Sequence, residues 1–232
     1  MKQIICVHVG EKYSNQYVEK LYRAVRRQMC DPCLFTVLTD NKQYDISDPN
    51  FRSIIVNPLP VGPEKMWWYK MEAFRPDVVV EGENLLCDID IVICNSLDKF
   101  WNYHPEEFVI IQDFNRLWYP NYNRNNSSVV KFDQITAAKI WNLWSSDPIG
   151  FVRKYRGDQD WFDGELTDMR RWPTKWILSW KWEVFNGGLV ESGRNKYHSN
   201  ETILDHECSI LSFHGKPDPA DVDHEIVHRH WI

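Results

Sequence analysis

Two carboxylates stand two positions apart in an apolar run, Leu85-Leu86-Cys87-Asp88-Ile89-Asp90-Ile91-Val92-Ile93. In an extended strand, residues i and i+2 share a face. Asp88 and Asp90 would therefore point together while Ile89 points away. Side chains at that spacing lie about 6–7 Å apart. Two like charges that close, among apolar neighbours, raise one pKa or demand a cation. A divalent ion resolves the conflict, and hard Mn2+ or Mg2+ prefers such oxygen ligands. An ion held by few protein ligands keeps positions open for a substrate diphosphate, whose departing charge it can neutralise. The plain alternative is a strand end in solvent with two ordinary surface acids.

A second segment carries complementary chemistry. The run from Ser209 to Phe213 leads directly into His214-Gly215-Lys216-Pro217. His214 could serve as a third metal ligand through a neutral imidazole. Gly215 permits close approach of backbone to a phosphate, and Lys216 supplies a point charge for it. On its own, His214 also fits a histidine satisfied at a strand end. His224, His228 and His230 read as an exposed tail.

These residues need elements to place them. Residues 3–9 form a continuous apolar run, as expected of a strand buried on both faces. Ser14 or Asn15 can cap a helix carrying Tyr17, Val18, Leu21, Val25 and Met29 at helical spacing. Further strands are expected at 34–40 (ending on Asp40), 52–57, 84–93 and 108–112, with others at 176–184 and 209–213. Helices are expected at 66–75, closed by Pro76, and at 135–146. Strand–helix–strand alternation over residues 1–95 argues for one α/β domain with a mostly parallel central sheet flanked by helices. In such sheets ligands bind beyond the carboxyl ends of the strands. The half 1–95 reads as the regular scaffold and 96–232 as the substrate-facing part.

Composition narrows the classes. Of 232 residues, 27 are Lys or Arg and 33 are Asp or Glu, a net charge of −6. That balance argues against a general nucleic-acid binder. No apolar run reaches the roughly 18–20 residues of a membrane-spanning helix. The N-terminus lacks the features of a signal peptide, so a cytoplasmic location is expected. Cys30-Asp31-Pro32-Cys33 has redox spacing but fits a plain turn, and no second pair exists for zinc. The chain has 12 Trp. Most are expected in the core, with some free to stack on the flat apolar face of a sugar.

Taken in order, Asp88-Ile89-Asp90, Gly157-Asp158-Gln159 and His214-Gly215-Lys216-Pro217 resemble the GT-A-fold glycosyltransferases. The nearest group is the glycogenin and lipopolysaccharide galactosyltransferase type, with small phage and bacterial relatives. The likeness runs from about residue 3 to 219 and implies a GT-A (Rossmann-like) domain. It also implies a UDP-sugar donor, Mn2+ or Mg2+, and transfer of a hexose to an acceptor hydroxyl, with retention. The acceptor, whether glycan, lipid-linked or protein, is left open. On that pattern Asp88, Asp90 and His214 bind the metal. Val7, Val9 and Tyr13 hold the base, and Asp40 lies on the nucleoside side. Lys70, in Trp67-Trp68-Tyr69-Lys70, reaches the diphosphate or sugar. Ser127, in Asn126-Ser127-Ser128-Val129-Val130, lines the donor sugar. Asp158 and Gln159 sit at the anomeric carbon, although Asp158 could also be a helix N-cap.

Two departures stand out. The family's His-x-x-Gly-x-x-Lys-Pro is compressed to His214-Gly215-Lys216-Pro217. Asn186-Gly187-Gly188 resembles a family Asn-Ala-Gly run but falls late, where a turn is expected. Two other classes stay open. One is a sugar-phosphate nucleotidyltransferase, which would carry a glycine-rich basic loop after the first strand. Here Gly10-Glu11-Lys12-Tyr13-Ser14 has one glycine. The other is a non-catalytic carbohydrate-binding protein, which has no use for a buried carboxylate pair.

Overall fold

A computed structural model describes residues 1–185 and 207–232. The apolar run at the N-terminus is strand β1 (Lys2–His8), followed by helix α1 (Asn15–Gln28), β2 (Leu34–Thr39) and β3 (Phe51–Ile55). A 3-10 helix spans Pro63–Phe74 and covers the helix expected over 66–75. Then come β4 (Glu83–Cys87), β5 (Ile91–Ile93), α2 (Asp98–Trp101), β6 (Phe108–Gln112) and β7 (Asn125–Asp133). Helices α3 (Gln134–Ser146), α4 (Pro148–Lys154) and α5 (Asp158–Glu165) lead to β8 (Met169–Arg171), β9 (Ile177–Ser179), β10 (Ile210–Ser212) and α6 (Glu225–His230).

Seven strands form one sheet in the order β3-β2-β1-β4-β7-β6-β8. β3, β2, β1 and β4 run parallel, as do β6 and β8, while β7 is antiparallel to both its neighbours. The expected mostly parallel sheet is present. β1 shows why its apolar run is continuous. Ile4 and Cys6 pack with Val18, Leu21 and Val25 of α1, while Ile5 joins Trp68, Phe74, Ile140 and Trp161 on the other face. Alternate side chains feed opposite layers, so both must be apolar. Much of the tryptophan sits in that second layer, where Trp68 stacks on Trp144 at 5.4 Å and Trp161 meets Trp144 edge-on.

The expected single strand over 84–93 is instead two. β4 ends at Cys87, the chain turns through Ile89 and Asp90, and β5 joins a separate small sheet in the order β5-β10-β9. Asp88 and Asp90 therefore do not share a strand face. A continuous buried strand would place both carboxylates among apolar groups at high cost. The turn brings them to a cleft instead.

The expected strand over 176–184 is shortened to β9. The Ser179 N–H donates to the Glu183 carboxylate at 2.7 Å, and a π-helical turn spans Trp180–Phe185. A side chain has there taken a backbone partner that a strand ladder would use. Of the expected exposed histidine tail only His228 is exposed, while His224 and His230 are partly buried. His224 Nδ1 accepts from Ile226 N at 3.3 Å, and Ile226 and Val227 are buried. Cys30 and Cys33 are both free, with Cys30 exposed. Asn186-Gly187-Gly188 lies outside the described residues.

Candidate functional site

Strand register gathers the chemistry at one end of the sheets. Cys6 is level with Cys87 in the β1–β4 pair, so Val7 emerges beside Asp88. Cys87 is level with Val129 in β7, and Asp88 N donates to Ser128 O at 2.8 Å. In the small sheet, Ser212 pairs with Ile91 on one side and Ser179 on the other. Residues just beyond β10 therefore lie next to Asp90. His214 arrives this way.

Two adjoining clefts result. One, of about 400 Å³, is lined by Lys70, Asp88, Asp90, Asn126, Ser128, Asp158, Gln159 and His214, among others. The second, of about 490 Å³, is lined by Val7, Val9, Gly10, Tyr13 and Met66. Trp67, Lys70, Asp88 and Asp90 line both.

Lys70 organises the shared wall. The 3-10 helix buries Trp68, Met71, Ala73 and Phe74, which turns Lys70 towards β7. Its ammonium donates to Ser127 Oγ at 3.0 Å, sits 2.6 Å from Asp88 Oδ1 and 3.8 Å from Asp158 Oδ2. Burial works against the Lys70 charge, but Asp88 and Asp158 outweigh it and hold the pKa above its ordinary value. Asp158 is buried in the first turn of α5, anchored by buried Trp161 and Phe162. Its N-cap is Gly157, so Asp158 is not the cap. Burial raises the Asp158 pKa, partly offset by Lys70 and by the Ser127 hydroxyl, which donates to it. Gln159 Oε1 accepts from Ser127 N at 3.2 Å. Ser127 is thus a fully buried bracket behind the wall. Its neighbours on the opposite strand face, Asn126 and Ser128, line the cleft.

Asp90 stands differently. The Tyr13 phenol donates to its Oδ2 at 2.6 Å, and Lys12 in turn donates to Tyr13. Burial first, and the Asp88 charge second, push Asp90 up to about 7. Burial and Asp90 likewise raise the Tyr13 hydroxyl, which keeps it a donor. His214 shares a hydrogen bond with Ser179 Oγ at 2.6 Å and stacks on Phe114 at 4.9 Å. Burial, with the nearby Lys181 charge, pushes its pKa down to about 4, leaving a neutral imidazole.

The remaining expected residues are placed as follows. Asp40 accepts from Gly10 N at 2.9 Å and so fixes the loop after β1 rather than lining a cleft. Gly10 has φ +78°, a conformation other residues rarely adopt. Gly215 lines the first cleft with φ +72°. Lys216 donates to Asp218 at 2.6 Å and Asp221 at 2.8 Å and is absent from the cleft lining. Those two acids raise its pKa and hold it on its own loop.

Arg156, Asp160 and Trp67 line the first cleft without having been singled out. Trp67 is 45% exposed beside fully buried Trp68. In a Trp-Trp pair on a helix only one ring can face the core, and that signal was present in the sequence.

A divalent metal has a suitable donor set here in kind. Two carboxylates and a neutral imidazole face one cleft, and burial first, with the Asp88 charge second, pushes the Asp90 pKa up to about 7. Among the described residues, however, no three His, Cys, Asp or Glu side chains already converge as a metal cluster. Lys70 holds the Asp88 side of the pair.

This arrangement of sheets and flanking helices is the GT-A glycosyltransferase fold. An active-site mutant of LgtC superposes with a TM-score of 0.68 at 14% identity, over 98% of this chain and 93% of that one. The galactosyltransferase LgtC in complex with donor and acceptor sugar analogues gives 0.65 at 14% identity, over 94% and 88% of the two chains. The glycosyltransferase GlyE of Streptococcus pneumoniae TIGR4 gives 0.59 at 12% identity, covering 94% of this chain and 56% of its own. No family model and no curated protein matches the chain. Among the described residues, no helix is long and apolar enough to cross a membrane.

Proposed function

We propose that this chain is a metal-dependent glycosyltransferase that moves a hexose from a UDP-sugar to an acceptor hydroxyl, with retention. The observation that carries this reading is the meeting of two clefts at one charged wall, Lys70-Asp88-Asp90. A nucleotide-sugar has the same layout: an apolar base, a dianionic diphosphate and a polar sugar.

In this reading the half-apolar cleft at Val7, Val9 and Tyr13 takes the base and ribose. Gly10, tied to Asp40, shapes its floor. Asn126 and Ser128 offer an amide and a hydroxyl to the sugar. Asp88, Asp90 and His214 would hold a divalent ion, which would offset the charge that builds on the departing diphosphate. Lys70 keeps its proton and adds a second positive charge at that point. Asp158, as a carboxylate, faces the positive charge that develops on the sugar ring. Gln159 is fixed by the Ser127 amide and presents its side chain beside the same atom. The acceptor oxygen bonds to the anomeric carbon on the face that the leaving group vacates as the bond to the diphosphate breaks, and the hydroxyl proton passes to the departing diphosphate oxygen.

Thermal unfolding with UDP and Mn2+ tests this. A ligand at a hundredfold above its Kd adds about 2.7 kcal/mol to the folded state, a clear rise in melting temperature. Wild-type protein that shows no shift with any nucleoside diphosphate, with or without Mn2+, would overturn the assignment. Release of UDP from a panel of UDP-sugars then identifies the donor.

A further inference from the structure

At the β8 end of the large sheet lies a cavity of about 650 Å³ that shares no lining residue with the two clefts. Arg124, Arg170 and Arg171 line it, with Asn123, Asn125 and Asp163. Three guanidiniums therefore stand against one carboxylate, in a chain whose net charge is −6. Strand register gathers them. Gln112 is level with Asn125 in the β6–β7 pair, and Ile110 is level with Arg171 in the β6–β8 pair. The outer strands thus bring Arg171 to the start of β7.

Arg171 is held as a preset fork. Its Nε donates to Asn125 Oδ1 and its Nη1 to Asn123 Oδ1, each at 2.8 Å. Both partners are neutral amides, so they fix the plane of the guanidinium without cancelling its charge. Among the described residues, no carboxylate stands within ion-pair distance of Arg171. The carboxylate of the cavity is engaged elsewhere. Asp163 Oδ1 accepts from Asn125 Nδ2 at 2.6 Å, while its Oδ2 accepts from Asn125 N at 3.3 Å and lies 3.6 Å from Arg124 Nη1. Asp163 so orients the amide that orients Arg171. Arg170 donates through Nε to Glu107, which is outside the cavity lining. The side chains of Arg124 and Arg170 are more than half exposed and flank the fixed fork.

We propose that this cavity is a second ligand site, and that it takes a phosphate group, as the free ion or as the monoester headgroup of a lipid. The site does not depend on the assignment of the donor clefts. A guanidinium fork matches two oxygens of a phosphate. A tetrahedral group also turns oxygens to the sides, where Arg124 and Arg170 stand; a planar carboxylate does not. The excess of cations over acids in the lining equals the charge of a dianion. A nucleic acid would call for a longer basic face than three arginines.

The test is two-dimensional NMR of the arginine Nε–Hε groups in the 15N-labelled full chain, without nucleotide or metal. The probes are inorganic phosphate, dihexanoyl phosphatidic acid as separate molecules in solution, and acetate at matched ionic strength. Phosphate should shift the Arg171 signal saturably, and acetate should not. Affinity should fall about tenfold in Arg124→Gln, the loss of one charged hydrogen bond. Arg124 is exposed, so this variant keeps the fold. Arg171→Lys retains the charge but loses the fork, and read on the Arg124 and Arg170 signals it should weaken binding at least as much. Tighter binding of phosphatidic acid than of inorganic phosphate would support the site as one for a headgroup, and equal or weaker binding as one for the free ion. No saturable shift with either phosphate probe, an equal response to acetate, or unchanged affinity in either variant would each overturn the proposal.

Discussion

Asp88 and Asp90 are two residues apart, yet they occupy opposite electrostatic settings. Asp88 sits 2.6 Å from the Lys70 ammonium, within a wall where Ser127 and Asp158 complete the contacts. Asp90 faces a phenol in place of a cation, and its pKa is raised to about 7. The pair thus divides its work. One acid is held directly against a buried ammonium, and the other against a phenol. A motif read as two equivalent ligands is in the fold an asymmetric one.

The largest effect is expected at the unneutralised acid. Asp90→Ala should lower Mn2+-dependent release of UDP from the donor by about a thousandfold, the scale seen when a group that stabilises developing charge is removed. Its circular dichroism should match the wild type, because a strained buried carboxylate has been taken away. Wild-type turnover in this variant would break the comparison.

Lys70→Met tests the other wall. It leaves Asp88 and the buried Asp158 without their cation. Removing one partner of such a pair costs about 3 kcal/mol, read as a lower midpoint in urea. An unchanged midpoint would mean that the wall does not depend on Lys70.

The raised Asp90 pKa makes a third test with a definite sign. The ordinary value is 3.8 and the folded value about 7. Between these, the folded chain keeps a proton that the unfolded chain has released, so metal-free stability falls as pH climbs through that window. Glu183, pushed up to about 7 chiefly by burial, adds a slope of the same sign. The difference between wild type and Asp90→Asn isolates the Asp90 share. Melting temperature against pH should be flatter in Asp90→Asn, and Mn2+ should flatten the wild-type curve too. Identical slopes in the two proteins would remove Asp90 from the account.

The smallest effect is expected for Tyr13→Phe. Its hydroxyl bond lowers the Asp90 pKa, so its loss should weaken Mn2+ binding by about fivefold, near 1 kcal/mol. Calorimetric titration at neutral pH measures it. Tighter binding in the variant would show that the phenol competes with the ion instead of preparing its ligand.

Much of the scaffold was legible in the sequence. β1, β2, β6 and α3 fell close to their expected bounds, because an apolar run or a helical repeat is a local property. The residues Asp88, Asp90, His214, Lys70, Asp158 and Gln159 were singled out, and the fold brings all six to one cleft. Other expectations changed. The strand over 84–93 broke at Asp88, since pairing with β10 rather than a straight continuation decides where β5 goes. Ser127 moved behind the wall, and Lys216 turned to Asp218 and Asp221. The exposed ring of the Trp67-Trp68 pair was not picked out, although helical geometry made one of them surface.

The sequence by itself determined which residue types were available and in what order: an α/β alternation, a carboxylate pair, a lysine, a histidine and a glycine. These follow from spacing and side-chain chemistry along the chain. Only the tertiary structure decided that Lys70 neutralises Asp88 and leaves Asp90 to Tyr13, and that Trp118 is linked to His214 through Trp182. Those relations join residues 18 to 96 positions apart. They depend on strand register and on which charges share a low-dielectric wall, and neither is written in any local stretch of chain.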